Sequence, residues 1–149
     1  MSNWTSITID DLKATGHGAI IDSAQTTAIG ATDPIPEALM DAVSRVRGAI
    51  SVGNQLDRDT FKIPRSLKAL AVRIALFALM ERIQFALTDD QRDTKRNDQS
   101  YLNRIIDEKI RFEQPDTPAG SAEMQQGMSV GIITSTPRQA SRQQLSGLM

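Results

Sequence analysis

Apolar and polar positions sort this chain into helical stretches separated by short polar breaks. The longest apolar stretch is Ile63 to Leu87, IPRSLKALAVRIALFALMERIQFAL. Leu67, Leu70, Ala71, Ile74, Leu76, Phe77, Ala78, Leu79, Met80, Ile83 and Leu87 fill so much of its circumference that no wide polar face remains after the first two turns. A helix apolar all round is a buried one. Pro64 suits a first turn, where its missing N–H leaves nothing unpaired, and Ala, Leu, Met and Arg dominate the interior. A single helix over this stretch spans about 36 Å at about 1.5 Å per residue. Arg73 interrupts it, and the uncharged run Ile74 to Met80 falls far short of the roughly 20 residues a bilayer requires, so the stretch predicts a central helix in a protein without a membrane partner.

The flanking segments predict smaller elements. Thr8 can cap a short helix from Ile9, with Asp10 and Asp11 in the first turn, where carboxylates complement the positive end of the helix dipole. Gly16, His17 and Gly18 break it, and the stretch to Thr32 reads as a loop anchored by Ile20 and Ile21. Asp33 and Pro34 start the next helix, whose Leu39, Val43, Val46 and Ile50 form one face opposite Asp41, Ser44, Arg45 and Arg47, with Gly48 and Gly53 weakening or ending it. Asn54 to Lys62 is polar, with Leu56 and Phe61 as expected anchors. After Thr88 the run DDQRDTKRNDQ is a connector or the solvated first half of another helix, whose Tyr101, Leu102, Ile105, Ile106, Ile110 and Phe112 pack on the central one.

At 149 residues, 40% hydrophobic and 23% charged, the chain has room for one core and a tail. Its 17 Lys and Arg nearly cancel its 18 Asp and Glu, so it lacks the overall positive field that drives non-specific binding to nucleic acid. Any DNA affinity must come from a local patch or from assembly. The absence of cysteine removes disulfides, thiolate metal sites and thiol nucleophiles and suits a reducing cytoplasm. The start, MSNWTSITIDDLK, shows no secretory pattern.

Candidate chemistry is sparse. Asp10 and Asp11 are adjacent, so on a helix they point to different faces, and no third ligand is near in sequence. His17 is the sole histidine, which excludes a multi-histidine metal site. A Ser-His-Asp site would depend on that glycine-flanked residue, GHGAI lacks the phosphate-cradling Gly-x-x-x-x-Gly-Lys-[Ser/Thr] pattern, and there is no HExxH. The sequence therefore predicts a protein that is not an enzyme and takes no cofactor, with no catalytic or metal residues. Arg92, Lys95 and Arg96 are interleaved with Asp89, Asp90, Asp93 and Asp98 and have no neighbouring aromatic on which a base could stack, the pattern of a solvated face.

Composition shifts after Phe112. Residues 113–149 hold three prolines, four glycines, many Ser and Gln and five charged residues, too little apolar surface for a core of their own. Ordering backbone costs roughly 1–2 kcal/mol per residue, so the segment is expected to take its order from a neighbouring chain. Its best docking piece is VGIIT, Val130 to Thr134, a β-capable run able to add to a strand edge, with Val130, Ile132 and Ile133 as its apolar residues. The fold class expected is mainly α: a small helical bundle around one long central helix, residues 1–112, followed by an extended C-terminal arm, residues 113–149, containing a short strand.

An N-terminal Trp ahead of a short I-x-x-x-D-L turn, an amphipathic helix, the aromatic-x-x-Pro entry Phe61 to Pro64 into a long apolar helix, YLNRIIDEKIRF, and an arm ending TPRQASRQQLSGLM follow one another along this chain. In that order they resemble the phage head-tail connector family, the adaptor or head-completion proteins of Mu-like phages and prophages. The most specific part is the ending, similar to Pro-Arg-x-aromatic-Ser-Arg-x-x-Leu-x-Gly and carried by Pro137, Arg138, Ser141, Arg142, Leu145 and Gly147, with Ala140 where the aromatic is usual.

The resemblance implies a virion neck protein made in the host cytoplasm, a helical subunit forming a homo-oligomeric ring, typically a dodecamer. The ring would sit between the portal protein and the stopper or tail proteins, with DNA passing through its lumen without sequence-specific contacts. It makes Val130, Ile132, Ile133, Pro137, Arg138, Ser141, Arg142, Leu145 and Leu148 candidate partner-binding residues of the arm. Arg92, Asp93, Lys95, Arg96 and Asp98 become candidate lumen or subunit-boundary charges. Two alternatives carry different expectations. A small helical nucleic-acid-binding or regulatory protein would use Arg92, Lys95, Arg96, Arg104 and Arg111 with steep salt dependence; a stopper or tail-terminator component would be rich in strand.

Overall fold

A computed structural model describes residues 1–119 apart from Ile29 and Ala31. It is mainly α-helical, as the pattern predicts. The helices are α1 (Ile9–Lys13), α2 (Gly18–Thr27), α3 (Pro34–Ile50), α4 (Lys68–Arg82) and α5 (Asp89–Ile106). Two short strands, β1 (Trp4–Thr5) and β2 (Ile63–Pro64), pair antiparallel with Trp4 opposite Pro64 and Thr5 opposite Ile63. Helix α4 is the centre: Leu70, Ala71, Val72, Ile74, Ala75, Leu76, Phe77, Leu79 and Met80 are all buried, and α4 packs on α1, α2, α3 and α5, most extensively on α3.

The central helix is shorter than the apolar run suggests, 15 residues and about 22 Å. At its start, Ile63 and Pro64 are drawn into the strand pair, where Arg65 N–H donates to the Asn3 carbonyl, and a 3₁₀ turn, Arg65–Leu67, leads into α4. At its end, Gln84 takes a left-handed conformation with φ 55°; its N–H donates to the Glu81 carbonyl and that of Phe85 to the Met80 carbonyl. This is the helix-stopping pattern that glycine usually supplies. The same device ends α5 at Glu108, φ 58°, with Lys109 N–H on the Arg104 carbonyl. Ile110 and Phe112 therefore lie beyond α5, partly buried against the core, and Ile106 is exposed rather than packed.

Three other expectations are revised. The stretch expected as a loop before Thr32 contains α2, because Ile20, Ile21 and Ala24 share a helical face and are all buried, while Thr26 and Thr27 hydroxyls donate to the carbonyls four residues back. Helix α3 continues through Gly48, whose missing side chain faces open space, and ends at Ile50. Phe61, expected as an anchor, is 58% exposed; Leu56 packs on the core and Asp57, one residue on, is fully buried. The starts expected at Thr8 and Asp33 are observed, and the run left open after Thr88 is helix from Asp89. Thr8 forms a capping box with Asp11, Asp33 accepts from Ile35 N–H, and Thr88 forms a capping box with Gln91.

A strap closes the body. The compact unit runs from Met1 to Pro118, so the first residues of the compositionally distinct segment belong to it. Buried Trp4 donates its indole N–H to the Glu113 carbonyl at 3.0 Å. Asp116 accepts from the Ser2 hydroxyl and from the Asn3 and Trp4 N–H groups, and Ser66 donates to Glu113. Asp57 accepts from the Thr117 N–H at 3.1 Å, the Thr117 hydroxyl at 2.8 Å and the Asp59 N–H at 2.9 Å; Arg58 N–H donates back to the Thr117 carbonyl. Beneath the strap Arg47 lies over the Trp4 ring, 5.9 Å from its centre, and donates to the carbonyls of Asp57, Asp59 and Lys62.

Burial pushes the Asp57 carboxyl up, but hydrogen bonds from Asp59 and Thr117 outweigh it and hold the group below its ordinary value. A carboxyl lowered on folding stabilises fully above its unfolded pKa, about 3.9, and loses that contribution as pH falls through the folded value. Asp57→Asn is thus expected to cost about 1–3 kcal/mol near neutrality and to flatten the acid limb of stability against pH. Urea midpoints followed from neutral to acidic pH check this; an unchanged acid limb would show that Asp57 is not the group responsible.

Candidate functional site

Helices α4 and α5 run beside each other without closing completely, and the gap between them is an open groove of about 430 Å³. Its floor is Ile74, Phe77 and Ala78 of α4 with Leu102 of α5 and Leu87 of the connector; Arg45 of α3 and Glu81, Arg92, Lys95, Arg96, Asp98 and Gln99 line the rest. An apolar floor under a mainly cationic rim suits a ligand that is itself apolar and acidic.

The rim charges differ in freedom. Lys95 is engaged by Glu81 across the groove. Arg92 meets Asp89 at 3.6 Å and Arg96 meets Asp93 at 3.5 Å, long, exposed contacts one turn apart that contribute little. Arg45 has no ion-pair partner among the described residues. Three guanidinium groups are therefore able to turn toward a partner's carboxylates at small cost.

Asp98, grouped by sequence with those surface charges, sits differently. It is 8% exposed and receives a forked contact from Arg73 of α4: Nη2 to Oδ1 at 2.8 Å and Nε to Oδ2 at 3.0 Å. The pair pins α5 to α4, and its hydrogen bonds raise the already high pKa of Arg73. Arg92, Asp93 and Arg96 are exposed on α5, Lys95 is half-buried, and all four remain at the surface as the alternating pattern implies. The arm candidates Val130, Ile132, Ile133, Pro137, Arg138, Ser141, Arg142, Leu145 and Leu148 lie outside the described residues.

Other titratable groups have structural partners. Asp11 completes the α1 cap and contacts Lys68 at 2.8 Å; burial raises its pKa, but the bonds from Lys68 and Thr8 bring it below the ordinary carboxylate value. His17 Nδ1 lies 3.2 Å from the Thr15 hydroxyl at the start of α2. Among the described residues no three His, Asp or Glu side chains converge as a metal set, and no described helix is long and apolar enough to cross a membrane. Sequence periodicity placed Arg45 only on a polar helix face and Phe77 only in the core. Their meeting with Arg92 and Arg96 is tertiary and leaves no local signal. The chain matches no family model, no curated protein and no solved structure.

Because Asp98 is buried and Arg73 is 42% exposed along its side chain, the two halves of the pair should respond unequally to truncation. Arg73→Ala strands a buried carboxylate and is expected to cost about 2 kcal/mol, whereas Asp98→Ala leaves a guanidinium that water can reach and is expected to cost about 1 kcal/mol. Denaturant melts of the two single variants and the double variant measure this; a larger loss for Asp98→Ala would reverse the assignment.

Proposed function

We propose that this chain is a structural subunit of a phage neck, a head-tail connector or adaptor whose copies form a ring between the portal and the stopper or tail, with DNA passing through the lumen. The observation that carries the reading is the ordered series of segments along one chain, from the N-terminal Trp through the apolar central helix to the ending TPRQASRQQLSGLM, which resembles that family. The fold is compatible with it. The body is small, helical and self-capped, and its most distinctive surface is a groove suited to protein contact. A stopper or tail-terminator role carries an expectation of strand, and the described residues hold two strands of two residues each.

In this reading the helical body supplies the wall of the ring and the segment beyond Pro118 supplies the grip on neighbours. The exposed Arg92, Asp93 and Arg96 and the half-buried Lys95 face either the hydrated lumen or the adjoining subunit. Charge of both signs suits a channel that lets DNA slide, because a purely cationic wall would bind phosphates tightly and in a salt-dependent way.

The test mixes purified full-length protein with its cognate portal and examines the product by electron microscopy, beside a chain ending at Pro118. Rings seated on portal are expected for the full chain. The shortened chain, keeping the strap that holds Trp4, is expected to retain its helicity by circular dichroism and to fail to incorporate. No ring from the full chain would contradict the connector role, and equal incorporation of both would remove the arm from it.

A further inference from the structure

The groove between α4 and α5 has a counterpart on the same molecule. On α3, Met40 is 56% exposed, an unbranched apolar side chain standing free of the core. Glu37 lies one turn before it and Asp41 one turn after Glu37, so the two carboxylates stand together on one side of Met40, and all three are exposed. Glu37 contacts Arg82 at 2.9 Å through an exposed pair, and Asp41 has no ion-pair partner among the described residues. One surface is thus an apolar knob beside two carboxylates, and the other an apolar hollow beneath Arg45, Arg92 and Arg96.

The knob cannot enter the hollow of its own chain. Met40 and Arg45 belong to one rigid helix, and the knob's surroundings adjoin the groove through Ala78 and Glu81, which border both. We propose that the groove is the docking site for a second copy of this chain, receiving Met40 while Glu37 and Asp41 meet the guanidinium groups of its rim. Shape and charge agree. The thioether adapts to an irregular hollow, and opposite charges on the two surfaces fix the register and disfavour groove-to-groove or knob-to-knob pairing. A nucleic acid would satisfy the arginines but lay charged phosphate over the apolar floor and meet Glu81, Asp89 and Asp93 at close quarters. Because knob and hollow are different surfaces, each copy offers both, the condition for extending or closing an assembly of identical subunits. The pairing deepens the ring reading and rests on it for its purpose, though not for its geometry.

A charge exchange on the full-length chain tests it without portal. Asp41→Arg removes one of the knob's two carboxylates and sets a cation against the cationic rim; Arg92→Glu with Arg96→Glu makes the rim anionic against the knob's carboxylates. Sedimentation velocity over a concentration series at low salt is expected to show self-association of the unaltered chain, loss in each variant alone, and recovery when the two variants are mixed in equal amounts. The substituted positions are exposed, and matching thermal melts confirm that each variant is folded. An unaltered chain that stays monomeric throughout, variants that associate as the parent does, or a mixture that does not recover would each overturn the proposal. Tight DNA binding abolished by the Arg92 and Arg96 changes, without self-association, would also overturn it and assign the groove to phosphate. Association that obeys the charge exchange but yields no ring on portal would leave the contact standing and remove the connector role instead.

Discussion

Helix α4 buries residues around nearly its whole circumference between Leu70 and Met80, and the other four described helices pack on it. This is the constraint from which the fold follows. A helix with one apolar stripe needs one partner, whereas a helix apolar all round needs a ring of them. Helix α3 covers the largest share with Ile35, Leu39, Val43, Val46 and Ile50, while α1, α2 and α5 contribute Leu12, Ile20, Ile21, Leu102 and Ile105. The groove marks where α5 lies beside α4 without sealing it. Phe77 and Ile74 are 7% and 9% exposed there, which leaves a shallow apolar floor rather than an open core.

The covering of the helix ends relies on hydrogen bonds more than on apolar area. Near the start of α4 the strand pair, the Trp4 indole and the strap from Glu113 to Pro118 interlock through Asp57, Asp116 and Arg47. Each of the two carboxylates accepts three bonds in the region, and no buried polar side-chain atom among the described residues lacks a partner. Asp57 and Trp4 are its buried members, so losing a bond to either leaves a buried group unsatisfied, at greater cost than a single bond contributes, whereas Asp116 and Thr117 are exposed to water.

Much of this was legible in the sequence, for reasons that differ by element. Thr8 and Asp33 announced their helices because capping is local chemistry, complete within four residues, whereas the charged run after Thr88 left connector and helix equally open. The apolar face of α3 was legible by spacing, and α4 by its density of apolar residues. The helix stops at Gln84 and Glu108 were hidden because left-handed caps carried by non-glycine residues have no compositional mark. Helix α2 was hidden because its small polar residues resemble a loop unless Ile20, Ile21 and Ala24 are read as one face. Asp57, the Arg47 fork and the Arg73 to Asp98 pair depend on contacts distant in sequence, so the charges could be counted but not paired. The candidate groove was illegible for the same reason: Arg45, Phe77 and Arg92 become neighbours only after α3, α4 and α5 have packed.

A self-standing helical body bearing a docking groove suits the proposed connector role, in which a rigid unit is joined to its neighbours by surface contacts. That account requires the body to end at Pro118, with the strap as an integral part. The most direct measurement compares the unfolding of the full chain with chains ending at Pro118 and at Phe112, by denaturant titration and amide exchange of α4. The account predicts that ending at Pro118 leaves the midpoint and the α4 protection unchanged, while ending at Phe112 lowers stability by about 3 kcal/mol through the lost strap bonds and the exposed Trp4 indole. Equal stability of the two shortened chains would contradict it.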